Sequence, residues 1–439
     1  MFLLCSCEEE KVPQTKTRVL ILMCIAMVLG YMPWYSFSAV AKYLVQEFNL
    51  GAGQMGAILS SFQVGYVLVV IFTGWLADRV GPRRVVAWAT LFAALSSTAF
   101  PFFARDFTSI LLLRLLVGLS CGAIYAPGMS FLSSWFPSKQ RGRAIGAYTA
   151  ALTAAYAGGY LVASPLAASF GWRVGMLGTS IPVFVAAVIV FFLVKDHPPE
   201  AVQSAQAGSP AESANINPAQ YGGTRRTLIA AQILITVAYM GHMWELYAFW
   251  GWIGPYFVAN VLQTGCGEAQ AVSTGGLLSA LIIFAGVPAV WALGAFSDRI
   301  GRTKAIIIAS LCSLVVECGF GFLFGKGLHL LVPVGLWLGF WVIADSGIYK
   351  AGLTELVSAG RRSLALGMQS AAGFSLTIVS PMVFGRLLES ANGAGIDPTA
   401  ATNWVLPFLV LGLGALLAPI SVLILRRLPE AKLLAREEC

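Results

Sequence analysis

Charge is what this sequence has least of. Of its 439 residues only 11% are Asp, Glu, Lys or Arg, against 58% hydrophobic, and the mean hydropathy is +0.78. A soluble domain carries roughly 25% charged residues, so this composition in water would leave extensive apolar surface exposed. Histidine is scarcer still, with His197, His242 and His329 scattered along the chain. No nucleophile–base or metal-ligand spacing accompanies them, which argues against an enzyme and leaves no expected metal or cofactor. The eight cysteines form no disulfide framework or zinc pattern: Cys24, Cys121, Cys312 and Cys318 sit in apolar runs, where cysteine acts as a small hydrophobe. A nucleotide-binding P-loop is missing, so ATP is not the expected energy source. A cleavable leader is not expected either, since Met1 to Cys7 is followed by Glu8-Glu9-Glu10. The formal charge is +8, yet no basic run is interleaved with aromatics, so nucleic acid is excluded as a partner.

What the chain has is long apolar runs. A membrane helix needs about 20 such residues, and twelve runs qualify, at 18–40, 54–77, 85–104, 108–134, 143–167, 173–194, 227–258, 271–297, 305–325, 328–350, 364–389 and 402–425. The fold class is therefore an all-α membrane protein with lipid as its solvent. Residues 195–226 break the pattern with Pro198-Pro199, Gly208-Ser209-Pro210 and Gly222-Gly223 and read as a linker. Arg79, Arg83, Arg84, Lys139, Arg141, Arg143, Lys195, Arg225, Arg226, Arg299, Arg302, Lys304, Arg361 and Arg362 fall in one set of loops, along with the basic residues of both tails. The positive-inside rule places that set in the cytoplasm. The expected organisation is a cytoplasmic tail 1–17, a six-helix bundle 18–194, a cytoplasmic linker 195–226, a second bundle 227–427 and a cytoplasmic tail 428–439.

The two halves repeat. Gly74-Trp75-Leu76-Ala77-Asp78-Arg79-Val80-Gly81 follows the second run, and Gly294-Ala295-Phe296-Ser297-Asp298-Arg299-Ile300-Gly301 follows the eighth. Asp78 and Asp298 are 220 residues apart, and so are Arg141 and Arg361. A shared register in two loops points to a duplicated six-helix unit. The loop Gly74, Asp78, Arg79, Gly81, Arg83, Arg84, its weaker copy Gly294, Asp298, Arg299, Gly301, Arg302, Lys304, and the fourth-run pattern Arg114, Gly118, Gly122 together resemble the major facilitator superfamily over about residues 18 to 427. The resemblance implies two pseudo-symmetric six-helix bundles around a central cavity and alternating access. It also implies an inner gate in which Asp78 meets the start of the eleventh helix near Ser363, and Asp298 the start of the fifth near Arg143. Two departures narrow it. The fifth run has Gly158-Gly159-Tyr160 where drug exporters of the family carry Gly-Pro, and the second and eighth lack the buried arginines of nitrate porters.

Ionisable groups inside lipid are functional suspects. Arg114 is a candidate for an anionic substrate or a carboxylate partner. His242 and Glu245 share a helical face at i, i+3, and Asp345 and Tyr349 share one at i, i+4; these four are the proton or substrate candidates. Tyr31, Trp34 and Trp244 are read as cavity walls and Gln63 as the most polar interior group of the second run, while Trp250 and Trp252 fit an interfacial belt. Glu317 is read as structural, Lys350 as a snorkelling anchor and Lys42 as an interface residue. The expected function is proton-coupled symport of a small organic solute, with an organic anion favoured, by a monomer in a bacterial inner membrane. Two alternatives stand beside it: an exporter working by proton antiport, and a receptor or assembly partner that keeps the fold without transport.

Overall fold

Every apolar run is a helix in the computed structural model, which describes residues 15–136, 138–195, 222–358 and 361–434. The tail residues 1–14 and 435–439 and most of the expected linker, 196–221, lie outside the described residues. The spans are α1 (Lys16–Ala39), α2 (Ala52–Val80), α3 (Pro82–Phe103), α4 (Phe107–Trp135), α5 (Ser138–Phe170), α6 (Trp172–Leu193), α7 (Arg225–Leu262), α8 (Glu268–Ile300), α9 (Arg302–Leu323), α10 (Leu328–Glu355), α11 (Arg362–Asn392) and α12 (Val405–Leu425). No strand occurs among the described residues. Large apolar side chains such as Phe72, Trp88, Phe92, Phe192, Trp291 and Val315 point outward, as they must where the solvent is hydrocarbon.

Local chemistry explains where helices turn and break. Gly81 and Gly301 end α2 and α8 at φ of 89° and 93°, a region closed to most side chains; this is the structural use of the two repeated glycine loops. Pro33 opens a new helical segment inside α1, because it has no N–H for the preceding turn. The sequence marks Gly241 and Pro255 as interruptions too, yet α7 runs unbroken from Arg225 to Leu262. The breaks come elsewhere: α4 pauses between Cys121 and Tyr125, and α10 at Asp345, and Tyr125 and Asp345 are themselves 220 residues apart. The duplication extends to this pair of interruptions, though not to those at Pro33 in α1 and Ala285 in α8.

Small residues set the helix approaches, as is usual in lipid. A side chain at Gly118 would overlap the Phe62 carbonyl, and one at Gly122 would press on the Tyr66 carbonyl, so α4 lies directly on α2. The two halves meet chiefly through two helix pairs, α2 with α11 and α5 with α8. At the end away from the termini these pairs are shut. Gly56 rests on the Pro381 carbonyl, Gly276 on Ser164, and Gly385 on the Ala52 carbonyl. The Ala52 N–H donates to the Ile396 carbonyl at 2.9 Å. Lys42 lies 3.2 Å from Asp397 and 3.5 Å from Glu268, and Gln46 donates to Glu268 at 2.8 Å. Nearby, Glu47 is held below the usual carboxylate range by the hydrogen bonds of Arg173, with Trp172 adding another.

At the end bearing the termini these two pairs part. Gly74 of α2, Gly142 and Gly146 of α5, Gly294 of α8 and Gly367 of α11 have no atom of the described residues within 4 Å of the place a side chain would occupy. The molecule is thus closed at its far end and open at its tail end.

Candidate functional site

The helix break at Asp345 and the polar face of α7 meet in the second half of the chain. His242 Nδ1 lies 3.0 Å from Asp345 Oδ1 and 3.9 Å from Glu245 Oε1. The imidazole's other nitrogen is 2.5 Å from the Ser346 hydroxyl, and Tyr349 donates to Asp345 Oδ2 at 2.7 Å. The 3.0 Å approach is out of line for a hydrogen bond, and neither atom has a hydrogen-bond partner among the described residues. On the other side Ser313 of α9 donates to Glu245 Oε2 at 3.1 Å. One turn further, Glu317 brings a fully buried carboxyl against Glu245, both of its oxygens lacking a hydrogen-bond donor. Among the described residues no Lys or Arg comes within 4 Å of these three carboxyls. The structure therefore joins His242, Glu245, Asp345 and Tyr349 and adds Glu317, Ser313 and Ser346. Glu317 was readable only as a structural residue; Ser313 at i, i+4 is the sequence signal of its inward face.

Above this cluster, between the halves, lies an aromatic body. Trp34 packs on Tyr31 at 5.4 Å, Phe62 at 4.4 Å, Tyr66 at 4.9 Å, Tyr156 at 5.2 Å and Tyr247 at 5.9 Å between ring centres. Trp250 belongs here too, 5.0 Å from Tyr156, and its carbonyl accepts from Tyr160 at 2.8 Å. The interfacial belt expected of Trp250 and Trp252 is corrected: both are buried inside, because α7 lines the passage. Gln63 bridges the halves by accepting from Thr377 of α11 at 3.2 Å, and Tyr31 donates to the Cys121 carbonyl. Trp244 turns aside, donating to the Leu411 carbonyl of α12.

Arg114 is fully buried and donates to the Pro33 and Trp34 carbonyls at 3.0 and 2.7 Å, with Phe62 under its guanidinium. The break in α1 supplies those carbonyls, so Arg114 ties α4 to α1; no carboxylate lies within 4 Å of it among the described residues. The repeated loops are placed at the open end. Asp78 is exposed and makes no hydrogen bond or ion pair among the described residues, and Asp298 pairs with Arg302 at the start of α9 at 2.6 Å instead of meeting α5. Arg302 also reaches Glu355 of α10 at 3.2 Å. Arg79 lies over Trp75, while Arg84 and Arg299 are exposed. Arg83 donates to the Val190, Phe191 and Val194 carbonyls at the end of α6. Gly74, a small residue where helices could come close, makes no such approach in this state, because the halves are parted there.

Two bundles, shut at one end and parted at the other around a polar core, are matched by sequence comparison. The profile of the Major Facilitator Superfamily fits residues 23–349. The chain belongs to that superfamily. A hexuronate transporter of Bacillus subtilis is 24% identical over 393 residues, spanning 86% of this chain and 89% of its own. A probable sulfoacetate transporter of Cupriavidus necator is 25% identical over 427 residues, 91% and 93% of the two chains. Among solved structures, a bacterial homologue of the human lysosomal transporter Spinster, inward-facing and unoccupied, superposes with a TM-score of 0.72 at 16% identity over 94% of this chain and 97% of that one. The protein is accordingly a multi-pass membrane transporter of the superfamily and not an enzyme.

Proposed function

We propose that this transporter is a proton-coupled symporter of a small organic anion. It works as a monomer by rocker-switch alternating access in a bacterial inner membrane, with both termini and the loops of Asp78 and Asp298 on the cytoplasmic side. On this reading the structure is the inward-facing state. The paired loops are the inner gate in its broken form, and Gly74 is free to receive α11 when the gate shuts.

The observation that carries the reading is the buried cluster of His242, Glu245, Glu317 and Asp345. Unpaired charge in a low-dielectric interior is heavily penalised. Three carboxyls and one imidazole, with no arginine or lysine beside them, approach neutrality only by holding protons. A site whose charge depends on bound protons, placed next to a passage that opens to one side at a time, is what coupling needs. The anion preference is supported by the relatives named for hexuronate and sulfoacetate, both organic anions.

The test is accumulation in proteoliposomes with an imposed pH gradient. Wild-type protein should accumulate hexuronate or sulfoacetate only when the outside is acidic. Asp345→Asn should lose that accumulation, by about tenfold or more, yet still exchange labelled for unlabelled solute. Equal accumulation with and without the gradient would refute proton coupling.

A further inference from the structure

Arg114 and Lys350 are both cations inside the spans, and their partners differ. Arg114 is occupied by two carbonyls. His242 faces Asp345 and Ser346, Glu245 has Ser313, and Glu317 lies against Glu245. Lys350, partly buried in α10, has no carboxylate within 4 Å and no hydrogen bond among the described residues. Its ammonium instead stands 5.6 Å from the ring centre of Tyr125, which belongs to α4 of the opposite bundle. A lysine that snorkels to headgroups turns away from the protein. This one turns across the parting between the bundles, at the tail-side halves of α4 and α10 where the molecule is open.

We infer that Lys350, together with the Tyr125 face and hydroxyl of the opposing bundle, is the site that takes the carboxylate or sulfonate of the transported anion. The inference rests on the organic-anion reading above and adds the residue that reads the charge. An ammonium inside a membrane protein without a counter-charge is an unsatisfied group, and an anionic substrate is the one partner that arrives and leaves. Tyr125 is already held by Thr149 of α5, oxygen to oxygen at 2.8 Å, so the wall opposite Lys350 is fixed. An anion seated there touches both halves at once. It also sits one residue from Tyr349, whose hydroxyl donates to Asp345. Substrate and the proton cluster are thereby connected through a single turn of α10. The same geometry explains why Lys350 lies on the face of α10 that looks toward α4 and not toward lipid.

The experiment uses purified full-length protein in lipid-free neutral detergent, which removes lipid phosphate as a rival anion. D-glucuronate, sulfoacetate and neutral D-glucose are the probes, titrated calorimetrically against wild type, Lys350→Gln and Lys350→Arg. Wild type should bind at least one of the two anions and ignore glucose. Lys350→Gln should bind it at least about tenfold more weakly, the scale of one lost charged hydrogen bond, while Lys350→Arg retains most of the affinity. In wild type alone, the bound anion should also shield Lys350 from acetylation by an amine-reactive ester, read by mass spectrometry, where glucose does not; this arm stands even if the variants fail to fold. Undiminished affinity in Lys350→Gln, or equal acetylation with and without bound anion, overturns the assignment of Lys350 and leaves the organic-anion reading intact. Wild type that binds neither anion overturns both.

Discussion

At Gly118 one methyl group decides whether two helices can touch. Its missing side chain is replaced by the carbonyl of Phe62 on α2. Adding a methyl forces the helices apart, at about 1–3 kcal/mol by the usual scale of overpacking. Gly118→Ala should therefore lower the melting temperature in detergent, whereas Gly74→Ala, at a site open in this state, should leave it unchanged; equal melting of the two variants would contradict the packing account. Residues differ in how far sequence could read them. The pairs His242–Glu245 and Asp345–Tyr349 were visible because helical spacing puts each on one face. That the two pairs meet was not visible, since nothing local aligns α7 with α10. Arg114 was legible as a costly buried charge but not as a clamp on α1, because its acceptors are main-chain carbonyls about eighty residues away. Glu317 was misjudged because its role depends on which way α9 is rotated.

Among elements, α6 shows what a loop arginine can do. Arg83 of the superfamily loop caps the carbonyls of Val190, Phe191 and Val194. The last carbonyls of a helix have no partner of their own, and a cation there also meets the negative end of the helix dipole. Arg83→Met should speed amide hydrogen exchange in the last turn of α6 by about tenfold, given a charged hydrogen bond worth roughly 1.5–3 kcal/mol. Exchange unchanged at 190–194, measured by mass spectrometry, would mean the cap is dispensable. Helix ends were readable to within a few residues wherever proline or glycine marks them, as at Gly81-Pro82 and Gly301. The breaks in α4 and α10 carry no proline at the break itself, and they escaped notice for that reason. Pro255 misled in the other direction, since a proline inside a long membrane helix is tolerated when neighbouring groups take over its lost hydrogen bond.

For the whole molecule, the decisive fact is that one end is latched and the other is not. Lys42 joins the first bundle to Asp397 and Glu268 of the second, and the lysine is only 9% exposed while its partners are 25% and 51% exposed. Such half-exposed pairs contribute about 1 kcal/mol, enough to shift a two-state balance roughly fivefold. Lys42→Gln should move the population toward a state open at the far end, seen as longer distances between spin labels placed on the far-end loops after α1 and α11. Unchanged distance distributions would remove the latch from the account. The sequence showed twelve spans and a duplication, but it could not show which end is shut, since either state satisfies the same apolar pattern.

Central to all of this is that the buried cluster around Asp345 carries a proton with the solute. The most direct measurement loads proteoliposomes with a pH-sensitive dye, imposes no gradient, and adds D-glucuronate or sulfoacetate, whichever the protein takes up. The account predicts acidification of the lumen in step with solute entry in wild type and none in Asp345→Asn. Solute entering wild-type vesicles while the internal pH stays constant would contradict it.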